Sequence, residues 1–467
     1  MLSYFPKYCS TRAIAFYFVT LFAVSLLFFN RLLPFQFVLF GAIAVSVFFG
    51  LGQRVSKDWQ RGSARLFAKR LFLTALAIRV VYVIFVYFYY IEMTGEPHMY
   101  HAGDEMFYQY LGSIWRQQGF SEMQRQVGET VTLSDSGYPW WLGFEYLLLG
   151  THVLPARIVK CFINAFSCVL IYKLAQRNFG ESTGRMAGVF CMLLPNMWYY
   201  CGITLKETEM VFLVILFVER ADNILHAPKV KIDGLIIPFL CILAVFAFRT
   251  PLALVMAMAL AIAVVLTSGR QLQMWKKILY GIAFAVWMSM AVGTQIVQET
   301  QQLLEQGADN QSIGYEQRAI RTGGNVFFKY VTGATVAPLV FTIPFPTMVH
   351  VEGQENQMML NGANFIKNVM SGFTIFALVL LLISGEWRKH ILPLALMGGY
   401  LMVIAFSNFA HSERFHFPVL ALEMMFAAYG VSQMQNKHKR WFMLWLLFVL
   451  VANVGWAWVK LRGRGLA

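Results

Sequence analysis

The chain has 467 residues, of which 58% are hydrophobic and only 13% are charged, and its mean hydropathy is +0.56. Soluble proteins carry about 25% charged residues, so this composition excludes an ordinary soluble enzyme and predicts a polytopic membrane protein. The formal net charge of +14 does not predict a nucleic-acid partner, because the Lys and Arg residues are concentrated in short loops between apolar segments, as in cytoplasmic membrane loops.

Apolar segments of roughly 17–22 residues recur along the chain, and each is long enough to cross a hydrocarbon core about 30 Å thick. We therefore predict an all-α fold, a polytopic transmembrane helix bundle of about 12–13 spans. The predicted spans are residues 13–30, 34–51, 71–91, 154–174, 185–203, 208–222, 234–248, 251–268, 278–297, 366–384, 391–407, 417–433 and 441–459.

The spans and loops divide the chain into four regions. We predict an N-terminal membrane hairpin with a basic cytoplasmic loop, a membrane core with an outer acidic loop, a long outer loop that is a lid or a substrate wall, and a set of C-terminal spans. These regions are residues 1–70, 71–297 (with its outer loop at 92–153), 298–365 and 366–467.

The charges of two loops predict their sides of the membrane. Loop 53–70 holds six Lys or Arg against one Asp, so it is expected in the cytoplasm. Residues 92–138 hold seven Asp or Glu against two Arg, so they are expected to face outward. Within the outer loop, "YPWWLGFEYLLLG" (138–150) is too short to span and predicts an interfacial helix, with Trp140 and Trp141 at headgroup depth.

Two further sets of residues are assigned structural roles. The segment "VAPLVFTIPFPTMV" (336–349) is apolar but broken by prolines, and such backbone is tolerated at membrane depth only where protein or a water-filled cavity covers it. The six cysteines lie mostly inside apolar runs without paired spacing, so we expect buried side chains and neither a disulfide frame nor a metal site. They are Cys9, Cys161, Cys168, Cys191, Cys201 and Cys241.

An acidic pair stands at the mouth of a hydrophobic segment. Asp104 and Glu105 follow the apolar run "VYVIFVYFYY" and open the aromatic amphipathic stretch "EMFYQYLGSIW". A carboxylate near the outer surface can act as the base that takes a proton from an acceptor hydroxyl. The alternative is structural: acidic residues favour helix N-termini, where they cap the helix and oppose its dipole.

Basic residues lie at the outer ends of several spans, where the distribution of loop charges does not predict them. A Lys or Arg at the centre of a span costs about 2.5–3.5 kcal/mol, and less near the interface. Each one alone could reach the headgroups or pair with a carboxylate such as Glu413. Together they predict a cationic rim that holds a phosphate or pyrophosphate. The rim residues are Arg157, Lys160, Lys206, Arg249 and Arg414, and Arg79 lies at mid-span.

A cationic rim beside a carboxylate suits one reaction in particular. A sugar joined to a lipid phosphate already has a leaving group, provided that cations stabilise the developing negative charge. One base and one cationic clamp then suffice for a single displacement with inversion, in which phosphate replaces the protonated leaving group of an inverting glycosidase.

The order of these motifs resembles the GT-C glycosyltransferases that use polyprenyl-phosphate sugars, among them the aminoarabinose transferases and protein mannosyltransferases. The similarity lies in the acidic pair after an early span, "GYPWWLGFEYLLLG", "PARIVKCFINAFSCVLIYKLAQRNFGES", "GVFCMLLPNMWYYCGITLKETEMVFLVI" and "SERFHFPVLALEMMFAAYGV". It covers residues 70–220 and, less closely, 405–435. The chain departs from the family in an extra hairpin at 13–51 and in lacking a large periplasmic domain after the last span.

The resemblance implies a role for three acidic residues. Asp104 is similar to the acceptor-activating carboxylate, Glu105 to its neighbour that positions it or holds a metal, and Glu207 to the acidic residue after the Pro-containing span. It also implies a bacterial inner-membrane enzyme with an active site facing the periplasm, a polyprenyl-phosphate sugar donor, and a lipid, polysaccharide or protein acceptor. A divalent cation at Asp104 and Glu105 is a candidate cofactor, since some relatives use one.

Other interpretations stay open. His98, His101 and Asp104 are three residues apart and could share one helix face, but zinc takes three or four ligands and no further one is evident. A lipid-linked oligosaccharide polymerase or ligase shares many spans and a long outer loop. A lipid-glycan transporter predicts inverted repeats and polar residues near mid-membrane, whereas these charges gather at the outer face.

Overall fold

The computed structural model describes residues 2–227, 232–267, 339–405 and 411–462. Within those ranges the chain is helical and forms no strand, apart from a single antiparallel bridge between Leu32 and Val349. The predicted all-α class is therefore confirmed for the part of the chain that the structure describes.

Within each described range, most of the helices follow one another through short connections. In chain order we label them α1 Lys7–Leu27, α2 Phe35–Asp58, α3 Ala64–Thr94, α4 Gly103–Gln118, α5 Phe120–Thr130, α6 Leu133–Leu149, α7 Val153–Phe179, α8 Glu181–Leu193, α9 Glu207–Leu225, α10 Ile232–Phe248, α11 Thr250–Thr267, α12 Asn361–Ser384, α13 Ile391–Ala405, α14 Glu413–Ser432 and α15 Lys439–Arg462.

Seven of the helices in the described ranges are long and apolar enough to cross a membrane. They are Lys7–Leu27, Phe35–Asp58, Ala64–Thr94, Val153–Phe179, Asn361–Ser384, Glu413–Ser432 and Asn436–Arg462. Two shorter apolar helices, Ile236–Phe248 and Thr250–Leu266, occupy further predicted spans. The helices are compatible with a multi-pass membrane protein, but fewer of them reach spanning length than the predicted 12–13. Predicted span 278–297 lies outside the described residues.

One predicted span, 185–203, is not a single helix. Helix α8 ends at Leu193, Leu194 is extended, and a short separate helix runs from Pro195 to Tyr199. Proline has no backbone N–H and its ring clashes with the preceding turn, so an interior proline kinks or breaks a helix, and at Pro195 the helix is broken. The break leaves carbonyls at the end of α8 without their helical donors.

Arg79, at mid-span in α3, satisfies those carbonyls. Its guanidinium donates to the carbonyl oxygens of Cys191 and Met192 (both 3.3 Å) and, from Nε, to Asn164 Oδ1 (2.6 Å). The side chain is fully buried. The cost of an arginine at membrane depth is therefore offset by the polar backbone of a broken helix, and Arg79 is a structural brace.

The core of the bundle is built around α7, which packs against α3, α8 and α9, while α14 packs against α8 and α12. At one end of this core, Arg177 of α7 pairs with Glu219 (2.6 Å) and Asp222 (3.0 Å) of α9. Arg185 at the start of α8 donates to backbone carbonyls in the turn 59–62, inside the predicted cytoplasmic loop. The acidic segment 92–153 lies at the other end, beside the starts of α7, α9 and α14.

The segment 92–153 folds into helices of its own. Helix α4 packs on α5 and α6 around a small apolar cluster of Leu111, Ile114, Met123 and Val127. Helix α6 begins at Leu133, earlier than predicted, and carries the half-buried Trp140 against Phe120 (5.1 Å between ring centroids). The placement of this helix at a membrane interface stays a prediction.

The proline-broken segment is irregular, and it is buried from Thr342 to Val349. Lys367 donates to the carbonyl of Ile343 (2.5 Å), and Asn368 donates to those of Thr342 (2.5 Å) and Pro344 (3.0 Å). Side chains of α12 thus replace the hydrogen bonds that a helix would supply, as irregular backbone at membrane depth requires. Most of the predicted lid, including Pro338, lies outside the described residues.

Candidate active site

The predicted acidic and basic residues converge at the end of the bundle that holds segment 92–153. Each stands at or near the start of a helix, or in the turn between two helices, so each backbone position is set where a helix enters the bundle. Asp104 and Glu105 lie in the first turn of α4, Arg157 and Lys160 in the first two turns of α7, Lys206 and Glu207 at the start of α9, Arg249 between α10 and α11, and Arg414 at the start of α14.

The outer layer of this cluster is a series of alternating charges that runs from the exposed Asp104 to the nearly buried Arg249. Arg414 Nη1 lies 2.6 Å from Asp104 Oδ2, and Arg414 Nε donates to Glu207 Oε1. The same oxygen of Glu207 lies 3.5 Å from Arg249 Nη2, and Arg249 Nη1 donates to the hydroxyl of Tyr400 (3.1 Å). Two guanidinium groups are thus gathered around one carboxylate.

The exposure of the side chains differs sharply along this series of ion pairs. The side chain of Asp104 is 60% exposed, that of Arg414 is 22% exposed, and that of Glu207 is fully buried. Arg249 is nearly buried and lies 4.4 Å above the ring of Phe415. The buried carboxylate therefore anchors both arginines from below, while Asp104 meets Arg414 at the solvent-facing side.

A second layer, buried beneath the first, holds Glu105 and Arg157. Glu105 Oε1 lies 2.6 Å from Arg157 Nη2 and accepts the backbone N–H of Thr204 (2.6 Å), while Oε2 accepts that of Met99 (3.1 Å). Burial alone would raise the pKa of Glu105, but the Arg157 charge and these hydrogen bonds lower it to about 2. Glu105 ties three chain segments together and faces no solvent.

Both lysines are also used inside the protein. Lys160 donates to the carbonyls of Ile203 (2.9 Å) and Leu205 and to the hydroxyl of Tyr138 (3.4 Å). Lys206 donates to the carbonyls of Ser134 (2.9 Å) and Phe248 (2.5 Å) and to the carboxylate of Asp135. An ammonium group has three donors, so neither lysine has one to spare for a ligand.

The predicted phosphate clamp is therefore smaller than the sequence suggested. Arg157, Lys160 and Lys206 are buried braces, because their charged groups bind carbonyls and carboxylates that the fold brings to them. Burial lowers the pKa of Lys206 to about 8, with Asp135 opposing the shift. Of the five predicted residues, Arg414 is partly exposed at the mouth of the cluster, and the nearly buried Arg249 lies beside it on Glu207.

Asp135 belongs to this site, although the sequence analysis did not single it out. Its Oδ1 accepts the Tyr108 hydroxyl (2.9 Å) and Lys206, and its side chain is 43% exposed. Burial raises its pKa, but Lys206 and Tyr108 together hold the pKa below its usual value. Tyr108 lies four residues after Asp104, one turn along the same face of α4. This hydroxyl donor next to the predicted base was the sequence signal that could have pointed to a further partner such as Asp135.

The histidines do not form the ligand face that their spacing suggested. Helix α4 begins only at Gly103, and His101 has a left-handed backbone (φ 53°) that points it to Glu355 (3.0 Å). Glu105 is engaged by Arg157, so it does not share a metal site with Asp104. Among the described residues, no group of three or more His, Cys, Asp or Glu side chains is placed to hold a metal ion.

The comparisons with known proteins are negative: no family model matches the chain, and neither a curated protein nor a solved structure matches it. The chemistry of the cluster therefore rests on its own geometry. It combines an exposed carboxylate, two adjacent guanidinium groups and a buried carboxylate that holds both of them.

Proposed function

We propose that the chain is an integral-membrane glycosyltransferase that moves a sugar from a polyprenyl-phosphate donor to an acceptor on the periplasmic side of a bacterial inner membrane. The acceptor would be a lipid, polysaccharide or protein of the cell envelope. The observation that carries the proposal is Arg414, which contacts the exposed Asp104 on one side and is held by the buried Glu207 on the other.

Arg414 and Arg249 are the proposed phosphate site. A guanidinium presents paired N–H donors that match phosphate oxygens, and it stays charged at every physiological pH. Glu207 keeps the two arginines together, although their like charges would otherwise separate them. Groups fixed in this way stabilise the charge that develops on a leaving phosphate without having to reorganise.

Asp104 is the proposed base. Its carboxylate takes the proton of the acceptor hydroxyl while the acceptor oxygen forms a bond to the anomeric carbon of the sugar. The bond from that carbon to the phosphate oxygen breaks, and the polyprenyl phosphate leaves with the electron pair. The single displacement inverts the anomeric configuration and needs no proton donor for the leaving group.

Glu105 has a different part in this proposal. Its buried pair with Arg157 fixes the start of α4 against α7, and so fixes the backbone from which Asp104 projects. Glu105 is therefore a positioning residue. The position of the charged cluster at the helix ends also favours a transferase over a transporter, whose site is expected near mid-membrane.

The proposal can be tested in cells. Mass analysis of envelope glycans should show the loss of one sugar in a deletion strain, and the same loss when Asp104→Asn replaces the native chain. Glu122→Gln is a matched control, because Glu122 is a carboxylate of the same outer segment whose partner is the exposed Arg125. That variant should retain the sugar. Unchanged glycans in both the deletion and the Asp104→Asn strains would refute the proposal.

A further inference from the structure

Asp104 is hydrogen-bonded to the guanidinium of Arg414, which belongs to the proposed phosphate site. Its Oδ2 lies 2.6 Å from Arg414 Nη1, a charge-assisted hydrogen bond of ordinary length. We infer that the Asp104 carboxylate occupies the phosphate site when no substrate is bound. A phosphate group that binds at Arg414 displaces Asp104, and the released carboxylate then acts as the base. The inference rests on the phosphate site of the proposed function and adds an order of events to it.

The two carboxylates on Arg414 are not equally displaceable. Glu207 is fully buried and also faces Arg249 at 3.5 Å, so its removal would leave two cations without their counter-charge. Asp104 is 60% exposed, and water can solvate its carboxylate as soon as Arg414 is taken. An incoming phosphate oxygen therefore exchanges with Asp104 and leaves the Arg414–Glu207 pair in place.

The geometry of a single displacement requires this exchange. The acceptor oxygen approaches the anomeric carbon from the face opposite the leaving phosphate, so the base and the phosphate site must stand on opposite sides of the sugar. In inverting glycosidases the two catalytic carboxyl groups are about 6.5–9.5 Å apart, for the same reason. A base in contact with the phosphate-binding arginine is thus a resting arrangement, and it must open before the sugar fits between them.

The exchange between Asp104 and phosphate at Arg414 also sets the order of the last steps of the reaction. Once Asp104 has taken the acceptor proton it is neutral and does not compete for Arg414, so the product phosphate stays bound. When Asp104 loses that proton to water, its carboxylate again competes for Arg414 and assists release of the polyprenyl phosphate. Ion pairing in this site therefore links the protonation of the base to occupancy of the phosphate site.

The test is a binding measurement that needs no sugar transfer. The probes are inorganic phosphate and farnesyl phosphate, a short polyprenyl phosphate, titrated calorimetrically into the full chain in detergent at fixed pH. Asp104→Asn removes the competing charge, so both probes should bind about two- to fivefold more tightly, the factor that an exposed ion pair of up to about 1 kcal/mol represents. Arg414→Lys should bind both severalfold more weakly, because an ammonium lacks the paired donors of a guanidinium.

Glu122→Gln serves as the matched control, since it removes the same charge from an exposed ion pair in the same outer segment. It should leave both affinities unchanged. An equal gain in Glu122→Gln and Asp104→Asn would trace the effect to the overall field and overturn the inference. Unchanged or weaker binding in Asp104→Asn would also overturn it, as would an absence of binding in both wild type and that variant.

The two probes separate a lipid phosphate from a free phosphate. Farnesyl phosphate should bind more tightly than inorganic phosphate, and its affinity should rise by the same factor in Asp104→Asn. A gain for inorganic phosphate alone would place the site away from the phosphate of a lipid and contradict the inference. If the proposed transferase activity fails while these binding results hold, the self-occupied phosphate site stands without the reaction.

Discussion

Asp104 and Glu105 are neighbours in sequence, yet each carboxylate lies 2.6 Å from a different arginine: Asp104 from Arg414 at the exposed mouth, and Glu105 from the buried Arg157. Successive residues of an α-helix project about 100° apart, so the first turn of α4 directs one carboxylate to α14 and the other to α7. This divergence separates a group that can reach a substrate from a group that holds the fold.

We expect Asp104→Asn and Glu105→Gln to fail in different ways. Asp104→Asn should lower sugar transfer by about 100-fold or more and change stability by no more than about 1 kcal/mol, the value of an exposed ion pair. Glu105→Gln leaves Arg157 buried without its counter-charge, so it should destabilise the protein by about 3–5 kcal/mol. Thermal unfolding with a thiol-reactive dye measures the difference, because all six cysteines are buried. A Glu105→Gln variant as stable as wild type would contradict this division.

Glu207 should act on donor binding through the two arginines that it holds. In Glu207→Gln the negative charge between Arg414 and Arg249 is lost, so the arginines separate and the KM for the donor should rise about tenfold, with a smaller change in kcat. Glu207→Asp keeps the charge and should partly restore the KM.

Glu209 is the matched control for Glu207, since it lies on the same turn of α9. Its nearest cation is Lys160 at 3.6 Å, and its carboxylate oxygens have no hydrogen-bond partner among the described residues. Glu209→Gln should therefore leave the donor KM unchanged. Equal rises in KM for the two variants would show that Glu207 acts through the helix and not through its arginines.

Arg79 should matter for stability and not for substrate. Arg79→Met keeps much of the volume but leaves the carbonyls of Cys191 and Met192 and the side chain of Asn164 without this donor. The Met192 carbonyl keeps the indole N–H of Trp198 as a donor (3.2 Å), so two buried acceptors are orphaned. Each orphaned buried acceptor costs about 1–3 kcal/mol, so the total loss should be at least about 2 kcal/mol, and Arg79→Lys should lose less. The donor KM of the folded fraction should match that of wild type; a raised KM at unchanged thermal stability would assign Arg79 to the site.

Glu145 of α6 should make stability depend on pH. Burial and the neighbouring Glu209 raise its pKa from 4.5 to about 8, against the opposing charge of Lys160. Between pH 4.5 and 8 the unfolded chain releases this proton while the folded chain keeps it, so this group's contribution to stability falls as pH rises through that window.

Glu145→Gln mimics the protonated side chain and removes the slope. Its thermal stability relative to wild type should therefore be higher at pH 8.5 than at pH 5.5, by an amount on the order of a few kcal/mol. A stability difference between the two proteins that stays constant across this range would show that Glu145 titrates alike in both states.

Much of the fold could be predicted, because hydropathy and helix period are local properties of the chain. The apolar segments do become helices, such as α7 over the predicted span 154–174. The error at 185–203 has a local cause too, since an interior proline kinks or breaks a helix, and α8 ends just before Pro195. The shorter α10 and α11 show that an apolar segment can form a helix below spanning length.

The candidate site was only partly predictable. Asp104 was predicted from the acidic pair after an apolar run, and Arg414 from the cost of charge near a membrane, but Arg157, Lys160 and Lys206 were predicted to bind phosphate as well. Their actual partners are carbonyls and carboxylates on other helices, which no local pattern reveals. Asp135 was missed for the same reason, because it becomes part of the site only through Lys206, 71 residues away.

The sequence by itself determined that the chain forms apolar helices and that costly charges collect near helix ends, because burial of apolar surface and the penalty on membrane charge depend on residue type. Only the tertiary structure decided which charged side chains form ion pairs with one another. Asp104 and Arg414 are 310 residues apart in sequence. A guanidinium has a structural role where the packed helices supply acceptors for its N–H groups, and it can bind a ligand where those groups remain at the surface.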